Sequence, residues 1–253
     1  MPLVTFTSDL GLADYYVAVV KGTLLSHNPA LNIIDISHNV KSFDIVQGAY
    51  ILKNAYNSFP KGTIHLVSIN DHYKKDRCFL AARYDGHYFI GPDNGIFSLI
   101  FEQSPDVIYE LEGDPGVLAQ DIFARAVKHI SGSMPFNEIG ILVDEIDERI
   151  TFQPITNPEL IKGTVVYSDN YENIIVNISK ELFDKTGKKR KYNIYFKRFE
   201  PITKISFSYA DVPIGETLCL FNSAGLLEIA INKGKAASLL GLNVEDGVHI
   251  EFY

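Results

Sequence analysis

The sequence predicts the α/β fold class, with an N-terminal α/β domain built on a mainly parallel sheet and a small C-terminal β-barrel domain. Two observations carry this prediction. Up to about residue 150, short apolar stretches alternate with segments whose apolar residues recur at helical spacing, as βαβ units require. From residue 161 onward, the apolar stretches are short and separated by turn residues, a pattern typical of small barrels and sandwiches.

The length of the chain supports this division. A chain of 253 residues is long for one compact core and suits two domains of ordinary size. We place the first domain at residues 1–150 and the second at residues 159–253, with the proline-containing segment 149–158 as the linker.

The N-terminal elements follow from local patterns. The first strand is apolar and β-branched and stops at Ser8 and Asp9, and the apolar residues after Asp14 recur at helical spacing. Asp85-Gly86 between two strand-like stretches indicates a hairpin. The predicted strands are 3–6, 32–36, 63–69, 79–84 and 87–90, and the predicted helices begin near residues 14, 44 and 121.

The C-terminal elements are short strands. The basic run 185–191 contains Gly187, and we interpret it as an exposed hairpin or loop. The predicted strands are 163–167, 174–178, 191–196, 217–221, 226–231 and 248–252.

Composition excludes several classes of protein. The formal net charge of -8 argues against a nucleic-acid partner, because phosphate contacts need a concentrated basic surface. Cys78 and Cys219 are the only cysteines and form no CxxC pair, so we expect no disulfide framework and no metal site. No apolar run approaches the length of a membrane span, and no basic-then-apolar leader opens the sequence. We expect no membrane partner and a cytoplasmic location.

Two carboxylates mark a candidate site where the first strand gives way to the first helix. Asp9 follows the carboxyl end of the strand, the edge at which open α/β sheets bind ligands, and a carboxylate there can accept hydrogen bonds from a ribose diol. Asp14 opens the helix. The simpler interpretation is that both acids only cap the turn and the helix.

Several separate motifs together resemble the S-adenosyl-L-methionine (SAM) hydroxide adenosyltransferases, or SAM hydrolases, which are related to the fluorinating and chlorinating enzymes that use SAM. Each motif is weak alone, but their order along nearly the whole chain is specific. They are residues 7–11 (TSDLG), 35–38 (DISH), 43–45 (FDI), 59–63 (FPKGT), 92–95 (PDNG), 121–124 (DIFA), 169–173 (DNYEN), 209–212 (YADV) and 222–230 (NSAGLLEIA).

The resemblance implies a homotrimer that binds SAM or adenosine between the first domain of one subunit and the second domain of its neighbour. SAM would be substrate or ligand, and no separate cofactor is implied. By match to the family, Asp9 resembles the acid that holds the ribose hydroxyls, Asp14 and Ser223 are similar to residues that hold the methionine portion, and Phe43 resembles the aromatic that flanks the sugar.

In the second domain, Asp169 and Asn173 fall on the family's binding motif, and Tyr209 resembles an aromatic beside the adenine. Glu228 lies in the same group of motifs without an assigned role. From local sequence alone, Asp169 reads as a turn residue and Asn173 as a strand-edge amide, because Asp and Asn are common in turns. An isolated aromatic such as Phe43 or Tyr209 is more often a core residue.

The chain departs from the family at the reactive centre. The family chemistry is attack on ribose C5′ with methionine leaving, and in its hydrolases an Asp-Arg-His trio makes water or hydroxide available. Arg77 is retained, but Asn70 stands at the Asp position and Leu118 at the His position. Asn70 can orient a water molecule through its carbonyl oxygen but cannot act as a base, and Leu118 can do neither. Asp71 follows Asn70 directly.

Three functional hypotheses follow. The first, which we favour, is a SAM hydrolase in which Asp71, His72 or Asp76 replaces the lost water-activating group. The second is a SAM- or adenosine-binding protein that lacks efficient turnover, such as a sensor. The third is a SAM-dependent halogenase, which the absence of a serine at the Ala119 position disfavours.

Overall fold

The structure is a computed structural model that describes residues 1–71, 78–113, 117–150, 152–197 and 199–253. The chain divides into two compact units, Met1–Ile150 and Thr151–Tyr253. Each unit has its own hydrophobic core.

The first unit is a twisted sheet with helices on both faces. Its elements, in chain order, are β1 (Leu3–Ser8), α1 (Tyr16–His27), β2 (Asn32–Ser37), α2 (Ile45–Ala55), β3 (Ile64–Ser68), β4 (Phe79–Tyr84), β5 (His87–Pro92), α3 (Ile96–Ile100), β6 (Val107–Leu111), α4 (Ala119–Ser131) and β7 (Ile141–Leu142).

The sheet has the strand order β2-β1-β3-β5-β4-β6-β7. Strand β1 pairs in parallel with β2 and β3, and β3 pairs in parallel with β5. The β4–β5 hairpin at Asp85-Gly86 introduces the antiparallel edge. Because β1 lies between β2 and β3, the loops after all three strands meet at the same edge of the sheet.

Two apolar layers cover this sheet. Phe6 and Phe79 pack with Leu24 of α1 and Phe123 of α4 on one face. On the other face, α2 and α3 pack against a second buried cluster that includes Phe89. Burial of each such aromatic contributes about 1.5–3 kcal/mol relative to exposure, so the core fixes the strands that carry the loops.

The second unit is an antiparallel sheet that curls into a half-barrel. The strand order is β11-β14-β9-β10-β13-β12, with β8 paired to β9. Its elements are β8 (Ile155–Asn157), β9 (Leu160–Ser168), β10 (Ile174–Ser179), α5 (Lys180–Gly187), β11 (Tyr192–Phe196), β12 (Thr217–Phe221), β13 (Leu226–Ile231), α6 (Ala236–Leu240) and β14 (Gly247–Phe252). The predicted fold class is confirmed.

Helix α5 corrects one local expectation, because the sequence suggested a loop or hairpin from residue 185. Ser179 caps this helix by accepting a hydrogen bond from Leu182 N at 3.1 Å, and Phe183 packs against the core of the unit. The helix ends at Gly187, after which Lys188 and Lys189 adopt positive φ.

Candidate functional site

Asp9 joins three loops at the carboxyl edge of the parallel strands. Its backbone N–H donates to Ser68 O at the end of β3, at 3.2 Å. Its carboxylate oxygen Oδ2 accepts from Phe43 N at 2.8 Å and from Asn70 N at 3.3 Å. Phe43 precedes α2 and Asn70 follows β3. Asp9 is therefore a bridge between loops and caps no helix.

Both residues that Asp9 holds have left-handed backbones. Phe43 has φ 68° and Asn70 has φ 53°. Asparagine tolerates this region, whereas a bulky residue such as phenylalanine is an outlier there. Strained residues persist only where surrounding contacts over-determine them, and they cluster at functional sites. The Phe43 residue is 72% exposed, so its ring is available to a ligand instead of the core.

A chain of polar side chains supports the Asp9 loop, and its members Ser8 and His38 are buried. Ser8 Oγ lies 2.7 Å from His38 Nδ1, and Nε2 of the same ring lies 3.1 Å from Asp35 Oδ1. Lys21 Nζ donates to Asp35 Oδ2 at 2.6 Å. Partial burial raises the pKa of Asp35, but the contacts with Lys21 and His38 outweigh it, and the pKa is lowered. The Ser8 contact is a hydrogen bond, whereas Nε2 approaches the Asp35 carboxylate without meeting hydrogen-bond geometry.

The same network fixes the backbone that follows Asp9. Leu10 N donates to Ser8 Oγ at 3.4 Å, and Gly11 N donates to His38 O at 2.9 Å. Each N–H from Asp9 to Gly11 therefore has a partner in the folded sheet. These hydrogen bonds hold the backbone that presents the carboxylate.

Asp14 is exposed and makes no cap. The residue at the N-cap position of α1 is Tyr15, and no side chain caps this helix. The simpler interpretation, in which Asp14 caps the helix, is therefore wrong. Its carboxylate raises the pKa of Tyr16, after the larger effect of Tyr15, which places it beside the first turn.

The positions that differ from the family trio lie on two separate loops. Asp71 is half-buried, and its Oδ2 accepts from Ser68 Oγ at 2.6 Å. Asn70 O accepts from Asn94 Nδ2 at 3.4 Å, which ties this loop to the 92–95 turn. Leu118 precedes α4 and is 54% exposed. Arg77 lies outside the described residues, as do His72 and Asp76.

In the second unit, Asp169 organises the turn between β9 and β10. Its Oδ1 accepts from Tyr171 N at 2.9 Å and from Asn173 N at 2.8 Å, and its Oδ2 accepts from Asn173 Nδ2 at 3.0 Å. The interpretation of Asp169 as a turn residue is therefore structurally accurate. A ligand at Asp169 would meet a carboxylate whose direction is already fixed.

Tyr209 and Glu228 form a hydrogen-bonded pair next to this turn. Tyr209 Oη donates to Glu228 Oε1 at 2.7 Å. Burial and then the Asp169 carboxylate raise the pKa of Glu228, against the bonds from Tyr209 and Asn222 that lower it. Burial and the Glu228 carboxylate raise the pKa of Tyr209. Because Asp169 also raises the pKa of Tyr209, the three groups lie within electrostatic reach of one another.

Ser223 is exposed at the tip of the β12–β13 turn. Asn222 closes this turn, since its Oδ1 accepts from Ala224 N at 3.0 Å and Leu226 N at 3.1 Å. Strands β13 and β10 are paired, with Glu228 opposite Ile175. The hydroxyl of Ser223 is thus accessible, as a ligand contact requires.

Comparison with known families identifies the chain. Residues 4–140 match the SAM hydroxide adenosyltransferase N-terminal domain, and residues 163–249 match the C-terminal domain of the same family. The chain belongs to the SAM hydroxide adenosyltransferase family. The resemblance predicted from the sequence is confirmed.

Named relatives of this SAM hydroxide adenosyltransferase span its full length. It is 30% identical over 260 residues to an (R)-S-adenosyl-L-methionine hydrolase of Methanocaldococcus jannaschii, covering 99% of this chain and 96% of the relative. It is 26% identical to a fluorinase of Nocardia brasiliensis, with coverage of 99% and 96%. An uncharacterized conserved protein from Thermotoga maritima has the same fold, with a TM-score of 0.88, 28% identity and coverage of 98% and 99%.

Two features of this adenosyltransferase site escaped sequence reasoning. The Ser8–His38–Asp35 chain joins residues of two strands, and only the DISH motif beside TSDLG hinted at it. The positive φ of Phe43 carries no sequence signal, because glycine is the usual marker of that conformation. Among the described helices, none has the length and apolar character needed to cross a membrane.

Proposed function

We propose that this SAM hydroxide adenosyltransferase hydrolyses SAM to adenosine and methionine by attack of water or hydroxide at ribose C5′. The observation that carries the proposal is the carboxylate of Asp9. Its Oδ2 is committed to two backbone N–H groups, while within the described residues its Oδ1 has no hydrogen-bond partner. Oδ1 can therefore accept from a ribose diol at the ligand-binding edge of the sheet. The full-length (R)-S-adenosyl-L-methionine hydrolase relatives support the same reaction.

The reaction places few demands on the protein. The oxygen of water bonds to C5′, the C5′–S bond breaks, and its electron pair stays on sulfur, so methionine leaves as a neutral thioether. No general acid is needed for departure. The protein must align water opposite sulfur and accept one proton from it.

We propose that Asp71 accepts this proton. Asn70 precedes Asp71 directly, and Arg77 follows six positions later. Asn70 can orient the water but cannot take its proton. Asp71 supplies a carboxylate one residue later, held by the Ser68 hydroxyl on the same loop that donates Asn70 N–H to Asp9. Arg77 would favour hydroxide over water as the nucleophile, because a nearby cation stabilises the negative charge of hydroxide.

The remaining substrate contacts follow the family match. Asp14 and Ser223 would hold the methionine portion, Phe43 would flank the ribose, and Tyr209 would lie beside the adenine. Asp169, Asn173 and Glu228 would supply further binding contacts from the second unit. The accessible Ser223 hydroxyl and the exposed Phe43 ring support these roles.

We also propose a homotrimer with SAM between subunits. Helix α1 supports an assembly, because Tyr16, Val19 and Leu25 are exposed apolar residues on a helix whose other side is buried in the core. An apolar face of this kind is stabilised by contact with another copy of the chain. The expected cytoplasmic location stays a prediction.

Incubation of the purified protein with SAM, followed by chromatography for adenosine and methionine, tests the reaction. We expect both products, and we expect Asp71→Asn to lower kcat by about 100-fold with little change in KM, as for loss of a general base. Asp106→Asn is the matched control, because Asp106 is exposed and pairs with Arg83 on the antiparallel part of the sheet.

Other outcomes identify the other hypotheses. Saturable SAM binding without product above the uncatalysed rate would establish the binding protein and refute the hydrolase. A 5′-halogenated adenosine formed when chloride or fluoride is supplied would establish the halogenase. An unchanged kcat in Asp71→Asn would remove Asp71 as the base.

A further inference from the structure

Glu172 has an unusual backbone within the Asp169–Asn173 turn. Its φ is 64°, in the left-handed region that favours glycine. Its N–H donates to Asp169 O at 2.9 Å, so this conformation is part of the turn that aims the Asp169 carboxylate. A glutamate at this position needs contacts that compensate for the strain.

Those contacts come from the segment that begins α6. Glu172 Oε1 accepts from Lys235 Nζ at 2.8 Å, and Oε2 accepts from both the N–H (3.1 Å) and the hydroxyl of Ser238. Glu172 O accepts from Ala237 N at 2.9 Å. The bonds from Lys235 and Ser238 lower the pKa of Glu172 to about 2, so the carboxylate is charged at neutral pH. Every polar group of Glu172 is thus engaged.

The turn is therefore held from two sides. Asp169 closes it from within, through bonds to Tyr171 and Asn173. Glu172 fixes it from outside, through four bonds to residues 235–238. We infer that Glu172 is a positioning residue for the ligand, which fastens the Asp169–Asn173 turn to α6 and so fixes the binding contacts of this turn before SAM arrives. This inference rests on the proposed function.

The chain offers a matched comparison in Glu245. This residue also has positive φ, 75°, and lies in a turn of the same unit. Its N–H donates to Val165 O, but within the described residues its exposed carboxylate has no hydrogen-bond partner. Glu245 therefore carries the same backbone strain without the fastening contacts.

The variants Glu172→Ala, Ser238→Ala and Glu245→Ala test the inference. For each, we would measure the Kd of adenosine by calorimetry, the kcat and KM for SAM, and the thermal midpoint. We expect Glu172→Ala to raise the adenosine Kd and the SAM KM by about tenfold with kcat within twofold of wild type, because a looser turn must be ordered on binding. Ser238→Ala should give a smaller change in the same direction, and Glu245→Ala none.

Hydrogen exchange of the free protein gives a readout that needs no ligand. The amides of residues 171–173 should exchange faster in Glu172→Ala and Ser238→Ala than in wild type. Glu172→Gln, which keeps an acceptor for Ser238 and loses the charge facing Lys235, should lie between wild type and Glu172→Ala. If Glu172→Ala fails to fold, the Kd, KM and exchange rates of Ser238→Ala and Glu172→Gln test the inference instead.

The outcomes separate the two proposals. Unchanged Kd and KM in both Glu172→Ala and Ser238→Ala overturn the positioning role while the hydrolase stands. A wild-type protein that binds adenosine but makes no product overturns the hydrolase, and the Kd values still decide the role of Glu172. A wild-type protein that binds neither SAM nor adenosine overturns both. If Glu245→Ala raises the adenosine Kd as much as Glu172→Ala does, then a substitution at any strained turn weakens binding. That result also overturns the inference.

Discussion

The two units use a carboxylate in opposite ways. Asp9 binds N–H groups that lie 34 and 61 residues further along the chain, so its geometry exists only once the parallel sheet has formed. Asp169 binds N–H groups two and four residues ahead, within its own turn. The Asp9 arrangement is a product of tertiary structure, whereas the Asp169 turn is a local motif that α6 then fastens through Glu172. The structural effects of a substitution at Asp9 should therefore reach the loops of Phe43 and Asn70. The effects of a substitution at Asp169 should stay within its own turn.

The largest effect is expected at Asp9. Asp9→Ala removes the proposed ribose acceptor and releases the backbones of Phe43 and Asn70 together. Loss of hydrogen bonds to a charged group costs about 1.5–3 kcal/mol, so the adenosine Kd should rise by about 10- to 150-fold. Calorimetry measures this change directly.

Asp9→Asn separates the two roles of the side chain. The amide oxygen can still accept from both N–H groups, so the loops should stay in place while the charge proposed to bind the ribose is lost. We expect a weaker effect than that of Asp9→Ala. Equal losses of affinity in the two variants would mean that the bonds from Asp9 to Phe43 N and Asn70 N contribute nothing to binding. That result would contradict the proposed difference between Asp9 and Asp169.

The two units should also respond differently to acid. In the first unit, buried His65 lies between Thr5 Oγ1 (2.7 Å) and His87 Nδ1 (3.1 Å), and burial with the nearby His87 lowers the pKa of His65 to about 3. Its ordinary pKa is 6.5. The unfolded chain therefore binds a proton that the folded unit excludes. The stabilisation is complete above pH 6.5 and is lost as the pH falls from 6.5 toward 3, by about 2 kcal/mol at pH 5.

Denaturant unfolding at pH 7 and pH 5, followed by hydrogen exchange in each unit, measures this difference. The first unit should lose stability over this range. The second should lose little, because the carboxyl groups whose pKa values are lowered there, those of Glu172, Asp211 and Asp246, lose their stabilisation mainly below about pH 4.5. His65→Gln should flatten the dependence, while exposed His27→Gln should leave it unchanged. An equal loss in both units would exclude the buried pair as its cause.

The fold could be predicted from sequence to the extent that its signals are local. The β4–β5 hairpin follows from Asp85-Gly86, and β1 from its apolar run. Helix α5 was not predicted, because its lysines and Gly187 are typical of a loop. The helix is stabilised by the Ser179 cap and by the packing of Phe183 against the core. Tertiary packing of one aromatic outweighed the local propensity.

The candidate site residues likewise differ in whether their contacts are local in the sequence. The Asp169–Asn173 turn was readable because each hydrogen bond lies within five residues. The sequence predicted Asp9 as a ligand-binding residue at the end of a strand. Its hydrogen-bond partners could not be predicted, because they depend on the pairing of β1 with β3, which no local pattern specifies. The fastening of Glu172 to Ser238 was missed for the same reason, since these residues are 66 positions apart.

The smallest effect is expected at Asp169, and it tests whether the turn is local. Asp169→Ala removes three hydrogen bonds in a partly exposed turn, which we expect to cost about 1–2 kcal/mol in the stability of the second unit. Asp169→Asn should cost less, because its oxygen keeps the bonds from Tyr171 and Asn173 N–H, and the Asn173 amide can rotate to accept from the new side-chain NH2. Denaturant unfolding gives the stability, and hydrogen exchange gives its location. Faster exchange confined to residues 169–173 and the neighbouring ends of β9 and β10 would sharpen the contrast with Asp9. Faster exchange throughout the half-barrel would contradict it, because the turn would then be as dependent on the whole sheet as the loops that Asp9 joins.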